Sequence, residues 1–209
     1  MSAPATERGR RTRDTIVRSA RAVFETRGFH DTTMSDLASA AEVSHGTVYT
    51  YFDSKEAVLA EVCRGLVAEM FATIRVPDDL RSDPVARIEE GNRRYLAAYI
   101  KHARMLEVVE QAATTDLHFR ELIEDLRRVF VDKATGTIRH FQADGLVESS
   151  LRPDIAGPAL VGMVESFARR WHDHEQNFEP EQVVGTLTRL WARAIGLPDQ
   201  APASRGARR

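Results

Sequence analysis

The stretch from Thr32 to Leu59, TTMSDLASAAEVSHGTVYTYFDSKEAVL, leaves this chain few ways to fold. It holds two short helical patterns joined by a tight polar link, and a third helical pattern starts directly after. Ser35 is an N-cap candidate for the first pattern, which puts Leu37, Ala38 and Ala41 on one face. The link Glu42-Val43-Ser44 carries a single apolar plug, Val43. Ser44 can cap a second helix, His45 to Tyr51, whose inward side is Val48 with Phe52 just beyond. Small side chains at Ala38 and Ala41 let the two helices cross closely. These are the requirements of a helix-turn-helix, two helices at a steep angle with the second free to enter a major groove.

The outward side of the second helix is His45, Gly46, Thr47, Tyr49, Thr50 and Tyr51. A side meant only for water would carry Glu and Lys. Hydroxyls and a closely approachable glycine suit phosphate oxygens and base edges. An ordinary buried helix pair is the plainer alternative. Upstream, Arg10, Arg11 and Arg13 belong to an arginine-rich first helix and its approach, where they are expected to lie along phosphates. The net charge of −2 does not itself mark a nucleic-acid binder, so the distribution of charge carries this reading.

The run Glu42 to Leu59, preceded by Gly28-Phe29-His30-Asp31-Thr32-Thr33, resembles the recognition-helix region of the TetR family of transcriptional regulators. The resemblance covers about the first quarter of the chain. The remainder is similar to the family only in length and helical character. Carried over by position, the resemblance implies phosphate contacts from Thr33, Ser35, Ser44, Thr47, Tyr49, Tyr51 and Lys55. It implies base-edge contacts from His45, Gly46 and Thr50. The family often has Lys where His45 stands, which leaves the base preference at that position open. The resemblance also implies a homodimer on a palindromic operator in double-stranded DNA, controlled by a small-molecule effector.

The rest of the chain reads as helix after helix. The first helix runs from about Arg10 to Arg27 with Ile16, Val17, Ala20, Val23 and Phe24 as its apolar stripe, and Gly28 ends it. A helix from Ser54 or Lys55 to about Ile74 is stopped by Pro77-Asp78-Asp79. Next come a helix opened by Pro84 after a Ser82 or Asp83 cap and a short segment from Ala103 to Ala113. A long helix follows from Thr115 to Ala143, and two more cover Pro153 to His174 and Glu179 to Ile195. No period-two alternation is sustained, so the expected fold is all-α with about nine helices. The expected domains are residues 1–54 for DNA binding, 55–197 for ligand binding and dimerisation, and a disordered Pro/Ala/Arg-rich tail at 198–209.

Small and apolar residues around more than one face of the last two helices imply burial against a partner copy, as a four-helix bundle. A chamber for a hydrophobic or amphipathic effector is expected among Tyr95, Tyr99, Met105, Val109, Phe119, Phe130, Phe141, Met163, Phe167 and Trp171. Gln111, Thr114, His118 and Arg120 fall near a helix junction, where a ligand's polar end could be held. Lipids, acyl-CoAs, sterols and drugs all suit such a chamber.

No phosphate loop, nucleophile elbow or HExxH stretch is present. His118 and Glu121 stand at i, i+3, but a metal site needs further ligands from other helices. The expectation is no metal, no cofactor and no enzymatic activity. A single cysteine excludes an internal disulfide, and no apolar run is long enough to span a bilayer. The N-terminal MSAPATERGRR lacks an apolar signal segment, so a cytoplasmic location is expected. The competing reading is a dimeric helical small-molecule binder without DNA binding.

Overall fold

The structure is a computed structural model, and it describes residues 6–73, 75–77, 80, 83–173 and 178–197. Among these there are helices and no strands. They are α1 (Glu7–Arg27), α2 (Met34–Ala40), α3 (His45–Tyr51), α4 (Lys55–Thr73), α5 (Pro84–Ala113), α6 (Leu117–Ala143), α7 (Pro153–Asp173) and α8 (Pro180–Ala194). The count is eight among the described residues because the two segments expected on either side of residues 101–102 form the single helix α5. Neither Gly nor Pro interrupts that junction, and the buried positions Ala98, Tyr99, His102, Ala103 and Met105 continue through it. The stop at Asp78-Asp79, the Ser82 cap and the tail at 198–209 lie outside the described residues.

Helix boundaries follow local chemistry. Thr6 caps α1 by accepting the Gly9 N–H at 3.2 Å, so the helix starts three residues earlier than Arg10. Asp83 caps α5, its carboxylate accepting the Ala86 N–H at 2.9 Å, with Pro84 in the first position where its missing N–H costs nothing.

The chain divides into two compact units, Met1–Phe71 with His102–Leu126, and Ala72–Lys101 with Arg127–Arg209. Compactness therefore does not divide the chain at residue 54. The first unit takes in α4, whose Val58, Leu59, Val62, Cys63 and Leu66 are buried, as are Ile16, Phe24, Leu37 and Val48 of the same unit. It also takes in the end of α5 and the start of α6. Phe24, Phe29 and Phe119 form a run of rings with centroids 6.4 and 6.2 Å apart. Each such buried side chain stabilises the unit by about 1.5–3 kcal/mol.

The second unit has its core at Leu96, Tyr99, Ile138, Phe141, Leu160, Val164, Val184, Leu187 and Trp191. Asn92 is buried and donates to Thr188 Oγ1 at 3.2 Å. Arg127 makes a two-pronged bond to Glu165, at 3.0 and 2.8 Å. α6 and α7 touch where Gly157 leaves no room: a Cβ there would sit 2.3 Å from Thr135 Oγ1 and 3.1 Å from the Thr135 backbone nitrogen. Gly157→Val is expected to destabilise the protein by about 1–2 kcal/mol through overpacking. A urea titration of the variant checks it, with a lower midpoint at unchanged slope as the expected outcome.

Candidate nucleic-acid interface and ligand cavity

The α2–α3 pair is built by its caps. Thr33, not Ser35, is the N-cap of α2. Its hydroxyl accepts the Asp36 N–H while the Asp36 carboxylate accepts the Thr33 N–H at 2.9 Å, a reciprocal box. Ser35 is left exposed on the first turn. Asp36 also pairs with Arg27, and the Thr33 hydrogen bonds, more than that cation, hold its carboxyl below the usual range. The turn is closed by Glu42 in a left-handed conformation (φ 55°), which brings the Val43 N–H to Ala38 O at 3.1 Å. Ser44 then caps α3 by accepting the Thr47 N–H at 3.1 Å.

What α3 presents outward is now concrete. Ser44, His45, Gly46, Tyr49 and Thr50 are exposed, and Thr47 and Tyr51 are half-buried. The His45 and Tyr49 rings meet edge-on at 5.0 Å, one turn apart, and Tyr49 remains 46% exposed. Gly46 is informative because nothing inside requires it: a Cβ there would meet only Ser44 Oγ, at 4.0 Å. Glycine is a poorer helix former than alanine, and no internal packing requires it at this first-turn position. The seven residues of α3 carry no Asp, Glu, Lys or Arg.

The surrounding cations separate into outward and inward groups. Arg10 and Arg11 lie exposed on α1, Arg11 paired with Glu7 one turn back. Arg13 instead turns toward α4, 2.6 Å from Glu61, with its guanidinium 5.0 Å from the centre of the Phe52 ring. That hydrogen bond holds the Glu61 carboxyl below its ordinary range and raises Arg13. A depressed carboxylate contributes stability above its unfolded pKa and loses it as the pH falls through the folded value, so this tie weakens only in acid.

Lys55 is committed more fully. Its ammonium donates to the carbonyls of Phe29, His30 and Thr32 at 2.9, 3.2 and 3.1 Å and sits 4.5 Å from the centre of the Phe29 ring. Three donors meet three acceptors, so the phosphate contact expected of Lys55 gives way to a clamp on the loop that leads into α2. Gln111 has a parallel role. Its Oε1 accepts the Phe29 N–H at 2.9 Å, which ties the end of α5 to the same loop.

The second unit contains a cavity of about 610 Å³. Tyr95 and Phe130, in edge contact at 4.8 Å, are the two expected chamber residues that line it. Met105, Val109, Gln111, His118 and Phe119 do not reach it. Met105, Val109 and Phe119 are core of the first unit, and His118 is exposed there. Tyr99 and Phe141 are buried in the second unit's own packing, and Phe167 and Trp171 pack together on α7 at 6.2 Å. Met163 is half-buried on α7 and outside the lining.

The rest of the wall was not read from the sequence. It comprises Arg75, Val76, Arg87, Ile88, Gly91, Asn92, Lys133, Ala134, Gly136, Thr137, His140, Val161, Val164 and Trp191. Burial, with Glu165 nearby, pushes the Tyr95 phenol well above its ordinary range, so it stays a neutral hydroxyl. Burial likewise raises the Cys63 thiol to about 12, in keeping with an inert core side chain. Among the described residues no group of three or more His, Cys, Asp or Glu could hold a metal ion, and no helix is long and apolar enough to cross a membrane.

Residues 16–62 match the family model described as bacterial regulatory proteins, tetR family. The chain is 24% identical to the HTH-type transcriptional regulator EthR of Mycolicibacterium smegmatis, over 86% of this chain and 84% of that protein. It is 26% identical to the HTH-type transcriptional repressor KstR2 of the same organism, over 82% and 84%. Among solved structures it is similar to the fatty acid degradation regulator FadR from Bacillus halodurans. The TM-score is 0.71, at 18% identity over 91% of this chain and 96% of that one.

Proposed function

We propose that the chain, whose residues 16–62 match the tetR family model, is a DNA-binding homodimeric repressor of that family, released from a palindromic operator by a hydrophobic or amphipathic small molecule in the 610 Å³ cavity. The observation that carries the DNA-facing part is α3 itself: an exposed, uncharged, hydroxyl-rich helix with a glycine no internal neighbour requires. In this reading His45, Gly46 and Thr50 face base edges. Thr33, Ser35, Ser44, Thr47, Tyr49 and Tyr51, with Arg10 and Arg11, hold the backbone. Lys55 and Arg13 support the interface from behind.

The dimer uses α7 and α8. Ile155 (62% exposed), Ala159, Gly162 and Ser166 form an outward stripe on α7, and Leu190 is 51% exposed on α8. Packed on a two-fold copy, these helices make a four-helix bundle. Two recognition helices then enter successive major grooves about 34–36 Å apart. An effector that binds better to a dimer with another spacing lowers operator affinity by no more than its own preference between the two states. α5 and α6 each pass through both compact units, which gives the cavity a covalent route to the DNA-binding end.

Mobility shifts on DNA flanking the protein's own gene test this, alongside sedimentation for the dimer. Binding should weaken steeply with salt. Tyr49→Phe should weaken all duplexes alike, by roughly fivefold, as expected for a lost phosphate hydrogen bond. His45→Ala should instead change which duplex is preferred. A His45→Ala variant with unaltered preference would remove His45 from the reading surface.

A further inference from the structure

The cavity has a charge pattern that its apolar walls do not explain. Arg87 lines it with Nη1 buried and without a hydrogen-bond partner, although a buried cationic donor left unpaired is costly. Arg75 and Lys133 line the same cavity, both exposed, and make no ion pair among the described residues. Among the described residues no Asp or Glu lines it. Partial burial of its ammonium against the wall, and then the like charge of Arg75, pulls Lys133 below its ordinary range. Tyr95, Phe130 and Trp191 supply aromatic wall to the same space.

We propose that the effector is an amphipathic anion, its carboxylate or phosphate held by Arg87, Arg75 and Lys133 and its hydrocarbon body packed on Tyr95, Phe130 and Trp191. This rests on the cavity being the effector site, and it narrows the hydrophobic or amphipathic class given above. A guanidinium pair and an ammonium on the wall of one cavity suit an oxyanion, which relieves the repulsion between the two exposed cations, Arg75 and Lys133. Sterols and other neutral lipids do not. The anion can belong to a free fatty acid or to the phosphates of a coenzyme thioester, and both present the same chemistry to the three cations.

Calorimetric titration of the full chain with dodecanoate, dodecyl phosphate, dodecanoyl-CoA and dodecanol separates these cases. At least one anion should bind, and dodecanol should bind about tenfold or more weakly than that anion. The tightest of the three anions identifies the head group. Arg87→Gln should weaken that anion by about 10- to 100-fold while leaving dodecanol unchanged, with Arg87→Lys recovering part of the loss. Thermal melts of both variants establish that they fold, and Lys133→Gln, at an exposed site, provides an independent variant with a smaller loss in the same direction.

Dodecanol binding as tightly as the anions overturns the proposal. So does unchanged anion affinity in folded Arg87→Gln, or the failure of all three anions to bind. The effector reading fails separately: an anion that binds through Arg87 yet leaves the protein on its duplex supports the anionic site and contradicts release by the cavity ligand.

Discussion

Gly28→Ala should lower the unfolding free energy by about 2–4 kcal/mol, with a fall in thermal midpoint of about 6–12 °C for a chain of this size. Gly28 ends α1 at φ 78° and ψ 177°, a conformation essentially reserved for glycine. A Cβ there would also lie 2.8 Å from Gln111 Oε1, the atom that accepts the Phe29 N–H. Alanine thus strains the backbone and displaces the side chain that ties α5 to the loop. The two contributions can be separated. Gln111→Ala alone should cost about 1 kcal/mol, the worth of one hydrogen bond, and the double variant should cost less than the sum of the singles. Strict additivity would mean that the Gln111 contact plays no part in the cost of Gly28→Ala.

Lys55→Met should cost about 2–3 kcal/mol, because charge-assisted bonds to three carbonyls are lost together. The methionine stem keeps most of the packing against Phe29, so the loss reports the ammonium. Arginine should restore only part, since a planar fork does not place its donors as a tetrahedral ammonium does. The distinctive expectation concerns DNA. For the folded variant the slope of log K against log salt should be unchanged, whereas removing a phosphate contact would reduce it by about 0.9. Equilibrium unfolding and salt-titrated binding on one preparation decide between clamp and contact.

The segment from Gly28 to Phe52 was legible in the sequence because its determinants are local. A cap, a turn, alternating small and apolar positions and an outward row of hydroxyls all fall within a few residues of one another. Even there the cap was misplaced by two residues: Ser35 and Thr33 are both good N-caps, and only Asp36, reaching back to Thr33, decides between them. Lys55 could not be read as a clamp, since its partners are backbone carbonyls more than twenty residues away.

The cavity was less legible for the same reason on a larger scale. Its wall draws on α5, α6, α7, α8 and the segment before α5, so no spacing along the chain marks it. Phe119 and Phe130 look alike in sequence, two aromatics on the apolar side of one helix. The first is fully buried against Phe29 and the second faces the cavity. Nothing in the sequence sets Arg87 and Lys133 apart from the chain's other charges. What marks Arg87 out is a missing partner, which shows only in three dimensions.

Selection from a pool of random duplexes, run in parallel with the intact chain and with the His45→Ala, Tyr49→Phe double variant, tests the exposed face of α3 most directly. The intact chain should enrich a palindrome with half-sites about one helical turn apart, and the double variant should fail to enrich that sequence. Equal enrichment by both proteins, or no sequence rising above the starting pool with the intact chain, would contradict the assignment of this face to DNA.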